Sequence, residues 1–540
     1  MRNELLVLAL LIIIAIIALH GITSEINKNY SVEYPAYGGT LREGIIGNPR
    51  FINPALAHTD ADRDMSELMF TGLMRYDKNG SLRPALLQKY EVSPDGLDYT
   101  VTLKNNLKWS NGKSLTADDV IFTIQLAKNP VAQSPKRPNW EGVEVEKINT
   151  TTVHFHLKKA YAPFLENLTL GIIPKYLWEQ IPVSQISLAK FNTDSVVGSG
   201  PYKVESIKTD PFGSIVSATL SANAYFVLGK PFIKTVVINF YPNEETAVKE
   251  LKNGSLDSLG GVSPKYVKDL SSAKEIHATN LQRIIAIFLN QGTQKSLSSP
   301  DIRKALNMAT DKKTIIEKVL GNYGVAIQGP LPPNIVDEKS NPQTTAYNPE
   351  LAKILIQTAA KKLKKNISLT LTTATTPELV EIANLIKDMW GRVGVEVRVK
   401  TFNLTDLEQL VIGPRRYEAF LYGEEVVGEN PDPFAFWHSS QRAHPGYNIA
   451  LYANSKVDKL LEEVRTTQDQ IRRDIVYKDI HKEIESDLPA IFLFSPSYIY
   501  ATAKDLGGAN INSISTGSQR FSTINEWYIS KQYVWKIFAK

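Results

Sequence analysis

Residues 92–124 read VSPDGLDYTVTLKNNLKWSNGKSLTADDVIFTI, and this stretch decides the fold. Apolar residues alternate with polar ones at Tyr99, Val101 and Leu103. A period of two is typical of a strand with one buried face. Asn111-Gly112 predicts a turn after that strand. Thr116 followed three residues later by Asp119 is typical of a capping box, so we expect a helix to begin there.

The second half of the chain alternates helical and strand patterns. Pro300, Pro349 and Pro377 each stand at the first position of an expected helix, where proline is well tolerated. The helix that begins at Pro300 is expected to end near Gly321. Apolar residues alternate again at Val395, Val397 and Val399. Helices that alternate with strands are typical of α/β domains, so we predict the α/β class.

Composition excludes several kinds of protein. The chain has 540 residues, which is too long for one hydrophobic core and predicts two or three domains. Its net charge of +5 is spread along the whole length, whereas nucleic-acid binding calls for clustered Lys and Arg. We therefore expect no nucleic-acid partner. Cysteine is absent, which excludes disulfides, thiol nucleophiles and thiolate metal sites.

The first residues predict export. Leu5–Leu19 is an unbroken apolar run with polar chain on both sides. Such a run fits either a short membrane-spanning helix or the core of a signal peptide. The residues after it lack the small side chains of a cleavage site, so we interpret residues 1–22 as an uncleaved anchor, with a cleaved signal as the alternative. Residues 23–37 are read as a polar spacer, and the folded part is expected on the outer face of the cytoplasmic membrane.

No enzyme or metal signature is complete. Gly112-Lys113-Ser114 lacks the earlier glycine of a phosphate-binding loop. Asp60, Asp62 and Asp64 have the spacing that begins a calcium loop, but Met65 replaces its turn glycine. Neither an HExxH nor a GxSxG motif occurs in the sequence. We therefore predict no catalytic residues, no metal and no cofactor.

Several segments resemble, in the same order, the solute-binding proteins that serve oligopeptide, dipeptide and nickel importers. Residues 92–124 are the most specific of them, with a strand pair, a Trp, an Asn-Gly turn and a Thr-Ala-Asp-Asp-Val helix start. The other similar segments are Gly38-Gly39-Thr40-Leu41, Ile52-Asn53-Pro54-Ala55, Phe70-Thr71-Gly72-Leu73, Gly198-Ser199-Gly200-Pro201-Tyr202, Ala305-Leu306-Asn307-Met308-Ala309-Thr310-Asp311 and Gly394-Val395-Glu396-Val397. Their order over residues 38–510 identifies the chain as a member of the ABC transporter extracellular solute-binding protein family 5.

The resemblance implies a periplasmic-binding-protein-like fold of type II, with two hinged lobes and an extra domain inserted in the first. The implied boundaries are 38–75, 197–285 and 488–540 for the core of the first lobe, 76–196 for the inserted domain, and 286–487 for the second lobe. Chain crossings near Ala286–Asn290 and Leu488–Phe492 would form the hinge. Lobes of this kind close on their ligand, and the importer reads the closed state.

The resemblance also implies where a peptide's amino terminus is held. Family members that bind free peptides pair the α-ammonium group with an Asp in a Gly/Ala-Asp-x-x-Asp-Pro loop. That loop reads Gly428-Glu429-Asn430-Pro431-Asp432-Pro433 here. Glu429 keeps the charge on a longer side chain, so we predict that it binds the ligand, with an exposed loop acid as the alternative. Asp432 is a second candidate, with a turn-stabilising position before Pro433 as its alternative.

Aromatic side chains surround this loop in the sequence, and they complete the predicted site. They are Tyr422, Phe434, Phe436 and Trp437. Apolar walls with a few polar groups suit a ligand cleft, although core packing is the alternative for each ring. Asn290, at one predicted crossing, is the last candidate. Dipeptide-specific relatives fix the ligand carboxylate with an arginine that residues 372–378 lack, which favours oligopeptides with an unfixed carboxyl end.

The sequence therefore predicts a monomeric, non-catalytic receptor. Its expected partners are short peptides, the permease subunits of an ABC importer and, through the N-terminal segment, the membrane. The same fold carrying a nickel chelate, haem or an oligosaccharide is one alternative, and an anchored ligand sensor is another. An exported hydrolase is the third, and the missing nucleophile-and-base set disfavours it.

Overall fold

The computed structural model describes residues 12–16, 18–19, 21, 30–333, 335–336, 347–425 and 431–535. The strands in this part of the chain are β1 Ser31–Pro35, β2 Gly38–Ile46, β3 Met74–Tyr76, β4 Leu82–Pro84, β5 Leu87–Val92, β6 Asp98–Leu103, β7 Val143–Lys147, β8 Thr152–Leu157, β9 Tyr202–Thr209, β10 Ile215–Ala222, β11 Ile233–Tyr241, β12 Ser258–Gly260, β13 Lys274–Asn280, β14 Arg283–Leu289, β15 Gly324–Ala326, β16 Ile367–Ala374, β17 Val395–Phe402, β18 Ala419–Glu425, β19 Ala490–Ala503 and β20 Lys531–Trp535.

The α-helices of the same residues are α1 Asp60–Met69, α2 Ala117–Lys128, α3 Phe164–Asn167, α4 Lys175–Trp178, α5 Glu244–Lys252, α6 Pro264–Leu270, α7 Pro300–Met308, α8 Lys312–Leu320, α9 Pro349–Leu363, α10 Pro377–Arg392, α11 Leu404–Asp406, α12 Phe434–Trp437, α13 Ser455–Thr466 and α14 Gln470–Asp487. The prediction of helix starts at Pro300, Pro349 and Pro377 is confirmed. The capping box at Thr116 is confirmed too, since the carboxylate of Asp119 accepts the backbone N–H of Thr116 at 2.8 Å.

The segment that the sequence pattern predicts as one helix forms two helices in the structure. Where the sequence pattern predicts a single helix from Pro300 to about Gly321, α7 ends at Met308 and α8 begins at Lys312. Asp311 caps the second helix by accepting the backbone N–H of Thr314 at 3.0 Å. Aspartate favours such a cap over a position inside a helix, which explains the break.

A twelve-stranded sheet organises the described residues. Its strand order is β17-β16-β18-β14-β19-β12-β2-β11-β10-β9, and β13 and β15 also pair with β19. The first part of β19, Ala490–Pro496, pairs with β14 and β15, and the second part, Ser497–Ala503, pairs with β13 and β12. A single strand therefore runs through both halves of the sheet.

The buried side chains divide at the middle of β19. Two hydrophobic cores take their residues from 41–270 and 499–527, and two others take theirs from 284–494. We call residues 38–280 and 497–530 the first lobe and residues 283–494 the second lobe. The lobes are joined where Leu281 donates its N–H to the carbonyl of Pro496 at 2.9 Å and accepts the Ser495 hydroxyl at 2.6 Å. These junctions lie close to the predicted crossings, and the predicted domain boundaries stay predictions.

A smaller antiparallel sheet belongs to the first lobe. Its order is β5-β6-β8-β7, and Tyr99, Val101 and Leu103 point their buried side chains to one face, as the period of two predicts. The same hydrophobic core includes this face and the central strands β2 and β11. The predicted inserted domain, 76–196, is thus packed firmly against the rest of its lobe.

The first and last strands of the described residues, β1 and β20, form a two-stranded ribbon. Strand β1 pairs antiparallel with β20, with Ser31 opposite Trp535. Part of the predicted spacer therefore forms a strand rather than a free linker. Most of the apolar run Leu5–Leu19 lies outside the described residues, and within the described part no helix combines the length and apolar character that a membrane crossing needs.

A buried ionic cluster fixes the loop after β19. Arg520 donates to Asp64 at 2.7 and 2.8 Å and to Glu43 at 3.0 and 3.2 Å. Tyr500 donates its hydroxyl to Glu43 at 2.8 Å. Since each of these charges is paired and hydrogen-bonded, burial does not leave one unsatisfied. The cluster holds residues 516–519 against helix α1.

Glu424 is also a buried acid, but it is not hydrogen-bonded as Glu43 and Asp64 are. It lies on β18 opposite Ile284, is 3% exposed, and neither of its carboxylate oxygens has a hydrogen-bond partner. Burial raises the pKa of Glu424 well above its ordinary value of 4.5. Between the ordinary and the raised pKa the folded chain keeps a proton that the unfolded chain loses, so stability falls as pH rises through that interval.

We predict that Glu424→Met raises the free energy of unfolding by about 1–3 kcal/mol at pH 8, because it removes an unsatisfied acid from the core. The gain should shrink as pH falls towards 4.5, the ordinary pKa of the side chain. Urea unfolding at both pH values measures it. Glu396→Met, on exposed β17, is the matched control and should shift stability by no more than about 0.5 kcal/mol. A loss of stability in Glu424→Met would contradict the prediction.

Candidate functional site

A cavity of about 710 Å³ lies between the two lobes. The second lobe contributes Glu425, Asp432, Ala435, Phe436 and Tyr447. The first lobe contributes the rest of the lining, from residues 54–57, helix α1, residues 70–72, strand β3, the segments 135–140 and 161–171, and residues 516–519. A concave site of this volume with mixed polar and apolar walls is typical of a small-molecule or peptide pocket.

Helix α1 presents one polar face to the cavity. Arg63, Ser66 and Glu67 line the cavity, and Phe70 follows just beyond the helix. The spacing of three, four and seven residues places all four on the same side of the helix. Asp62 fixes where this helix begins, because its carboxylate accepts the backbone N–H groups of Arg50, Phe51, His58 and Thr59.

Two charged residues of the first-lobe wall, Arg75 and Glu67, form a loose ion pair. Arg75 lies 4.0 Å from Glu67, and its Nη1 atom is buried without a hydrogen-bond partner. Burial raises the pKa of Glu67 and lowers that of Arg75, and their mutual attraction opposes both shifts. Both side chains line the cavity, so a polar ligand could complete their hydrogen bonds.

Asp432 on the second-lobe wall is already paired. Its carboxylate lies 3.1 Å from Nε of Arg465 and accepts the backbone N–H of Phe434 at 3.2 Å. Burial raises the pKa of Asp432, and the neighbouring Arg465 opposes that shift. The guanidinium of Arg465 stacks over the ring of Phe434, 4.2 Å from its centroid.

The same arginine joins the two lobes beside the cavity. The carbonyl of Arg465 accepts the backbone N–H of Ala162 at 2.6 Å, and its guanidinium lies 5.2 Å from the ring centroid of Tyr161. Burial raises the pKa of Tyr161 well above its ordinary value, and the nearby charge of Asp432 adds to the shift. Asp432, Arg465 and Tyr161 therefore form a polar bridge between the lobes.

The structure brings together part of the predicted site. Asp432 and Phe436 line the cavity. Tyr422 and Phe434 are half-buried beside the second-lobe core, where Tyr422 stacks on Phe420. Glu429 lies outside the described residues.

Trp437 and Asn290 are not among the described residues that line this cavity, and their contact with ligand stays a prediction. Trp437 is 1% exposed and packs among Phe288, Tyr452 and Phe492. Asn290 is buried and donates to the carbonyl of Arg415 at 3.2 Å, while its Oδ1 accepts the N–H groups of the next turn. Consecutive side chains of a helix point about 100° apart, so proximity in sequence to Phe436 did not bring Trp437 to the same wall.

Sequence reasoning missed the first-lobe wall. Lys136 and Tyr161 lie in irregular segments, where no periodic pattern indicates which way a side chain points. The face of helix α1 was detectable, because Arg63, Ser66 and Glu67 repeat at helical spacing next to a capping aspartate. The predicted site was centred on the loop that resembles the family, and that loop belongs to the second lobe.

Comparison with known proteins gives consistent matches over almost the whole chain. The oligopeptide-binding protein AppA of Bacillus subtilis is 25% identical over 98% of this chain and 99% of its own length. The dipeptide-binding protein of Escherichia coli is 24% identical over 89% of this chain and 93% of its own length. The structure of NikZ from Campylobacter jejuni in complex with Ni(L-His) superposes with a TM-score of 0.74 at 26% identity, covering 91% of this chain and 99% of that one.

The family model for bacterial extracellular solute-binding proteins, family 5 (middle region), matches residues 81–450, which is more than half of the chain. The α/β architecture and the division into two lobes around a cavity agree with that match. This chain belongs to the bacterial extracellular solute-binding proteins of family 5.

Proposed function

We propose that this chain binds short peptides between its lobes, outside the cytoplasm, and passes them to the permease subunits of an ABC importer. The observation that supports this most is the cavity of about 710 Å³ with one wall on each lobe. A ligand shifts an open–closed equilibrium only if it binds the two states differently. A ligand that touches both walls does so, because the full set of contacts forms only when the lobes are together.

Peptides fit the arrangement of polar groups in this cavity. The relatives named for oligopeptide and dipeptide binding give the cargo its first support. The unused donors and acceptors on the first-lobe wall can bind main-chain groups, which every peptide offers irrespective of its sequence. Half-buried aromatic rings such as Phe436 supply apolar surface for side chains.

Glu429 is the residue we assign to the peptide's ammonium group. Asp432, three residues later, is occupied by Arg465 and by a backbone N–H, so its charge is largely compensated within the second lobe. This supports a turn-stabilising position for Asp432 and leaves the ligand ammonium to another acid. Glu425 at the cavity edge is drawn towards Arg283, 3.4 Å away.

We further propose that Leu5–Leu19 anchors the protein in the cytoplasmic membrane as a monomer. The ribbon of β1 and β20 pairs residues 31–35, which follow this segment in the sequence, with residues 531–535. The folded part would then stay near the importer without a lipid-modified cysteine, which the chain lacks. Membership of an extracellular family supports the location.

Mass spectrometry of ligand that co-purifies with the protein tests the cargo directly. We expect a mixture of short peptides, since main-chain recognition tolerates many sequences. The similarity to NikZ gives one specific alternative, a nickel chelate. Recovery of a single metal complex, haem or sugar in place of peptides would contradict the proposal.

Substitution of Glu429 tests the binding mode. We expect Glu429→Gln to weaken peptide affinity about tenfold or more, because a desolvated ammonium group would lose its charged partner. Isothermal calorimetry with a co-purified peptide sequence measures the change. Glu396→Gln removes an exposed acid of the same lobe and should leave the affinity unchanged. Equal affinity of Glu429→Gln and the unaltered protein would place the ammonium site elsewhere.

A further inference from the structure

Lys136 differs from the other charged residues of the cavity. Among the described residues, no carboxylate lies within ion-pair distance of its ammonium group. The charges that act on it are Glu425 across the cavity and Arg63 on the same wall. Lys136 therefore faces the cavity as a cation with no bound acid.

The remaining charges of the cavity each have a close partner. Arg63 lies 3.0 Å from Asp60, and Glu425 lies 3.4 Å from Arg283. Glu67 and Arg75 oppose each other at 4.0 Å, Asp432 pairs with Arg465 at 3.1 Å, and Glu166 accepts the hydroxyl of Tyr76. Lys136 is thus the charged side chain of the described cavity wall that has no carboxylate within ion-pair distance.

The backbone around Lys136 is held in place. The hydroxyl of Ser134 donates to the carbonyl of Ala55 at 2.5 Å and accepts the N–H of Lys136 at 3.1 Å. A 3₁₀ turn, Arg137–Trp140, follows directly, and the ring of Trp140 is fully buried. The ammonium group is therefore presented from a fixed segment, which lowers the entropy lost when a ligand binds.

Unused donors on the same wall support a ligand at this position. Ser66 is 8% exposed, lines the cavity, and its hydroxyl has no hydrogen-bond partner. It lies one helical turn from Arg63, whose positive charge acts on Lys136. Buried polar groups are almost always satisfied in folded proteins, so an orphaned hydroxyl in a cavity wall points to an absent acceptor.

Desolvation lowers the pKa of Lys136, and the positive charge of Arg63 lowers it further. An anion beside the ammonium group would reverse both effects. Glu425 acts in this direction from the opposite lobe, but it is already drawn towards Arg283. A carboxylate from the ligand would compensate the charge without a contribution from the protein.

We propose that Lys136 binds a carboxylate of the ligand, with Arg63 and Ser66 beside it on the first-lobe wall. The inference rests on the proposed peptide function and deepens it. The carboxylate can come from the peptide's carboxyl terminus or from an Asp or Glu side chain. A fixed carboxyl terminus would set an upper limit on peptide length, in contrast to the open-ended binding that the absence of an arginine at residues 372–378 suggests.

Fluorescence titration with pools of random pentapeptides tests the site. One pool has free carboxyl termini and no acidic residues, a second is the same pool amidated, and a third is amidated with one Glu per peptide. We expect the unaltered protein to bind the free-acid pool about thirtyfold more tightly than the acid-free amidated pool. Lys136→Met should lose this preference and Lys136→Arg should keep it. Lys159→Met, an exposed lysine of the same lobe, should behave like the unaltered protein.

Each result bears on a separate claim. Tight binding of the third pool would assign the carboxylate to a side chain, and weak binding would assign it to the terminus. Equal binding of all three pools by the unaltered protein, or an unchanged preference for the carboxylate-bearing pool in Lys136→Met, would overturn the carboxylate site while peptide binding stands. An equal loss for both pools in Lys136→Met would show that the lysine acts on lobe closure instead. Failure of every pool to bind would overturn the peptide function itself.

Discussion

The backbone pairing of β19 constrains everything else in this protein. This one strand pairs with β14 and β15 in the second lobe and with β13 and β12 in the first. Its hydrogen-bonding groups are buried, and leaving them unpaired would cost free energy for each one. The lobes therefore cannot separate, and rotation about the junction of Leu281, Ser495 and Pro496 is the motion that preserves the pairing.

This constraint explains where the cavity is and why its walls differ. The second-lobe wall is built around a short helix and holds Asp432, whose charge Arg465 compensates. The first-lobe wall is built around α1, whose first part is fixed by the carboxylate of Asp62 and by the Asp64–Arg520 pair. On the second-lobe wall the charge of Asp432 is paired. On the first-lobe wall, within the described residues, the ammonium group of Lys136 has no carboxylate at ion-pair distance and the hydroxyl of Ser66 has no hydrogen-bond partner. The proposed ligand recognition rests on the first-lobe wall, and Arg465 connects the two lobes beside it through Ala162 and Tyr161.

Local signals in the sequence predicted local structure well. The Thr116–Asp119 capping box and the prolines at helix starts act within one turn, so no tertiary information is needed to recognise them. Two residues that the family resemblance indicated, Asp432 and Phe436, line the cavity, and their contact with ligand stays a prediction. It could not show that Trp437 faces the core or that Asn290 stabilises a turn, because both depend on which elements pack against them. Lys136 gave no signal, because a sequence does not show which carboxylates of the described residues lie near its ammonium group in the fold.

The distance between the lobes is the most direct measure of the central claim. The chain lacks cysteine, so spin labels can be placed by introducing cysteine at Lys159 in the first lobe and Lys459 in the second, which are both exposed. On addition of peptide, the distribution of Lys159–Lys459 distances should become narrower and shift to shorter distances. The distance between labels at Lys400 and Lys459, both within the second lobe, should not change. Peptide that binds and leaves the Lys159–Lys459 distribution unaltered would contradict closure of two lobes around the ligand.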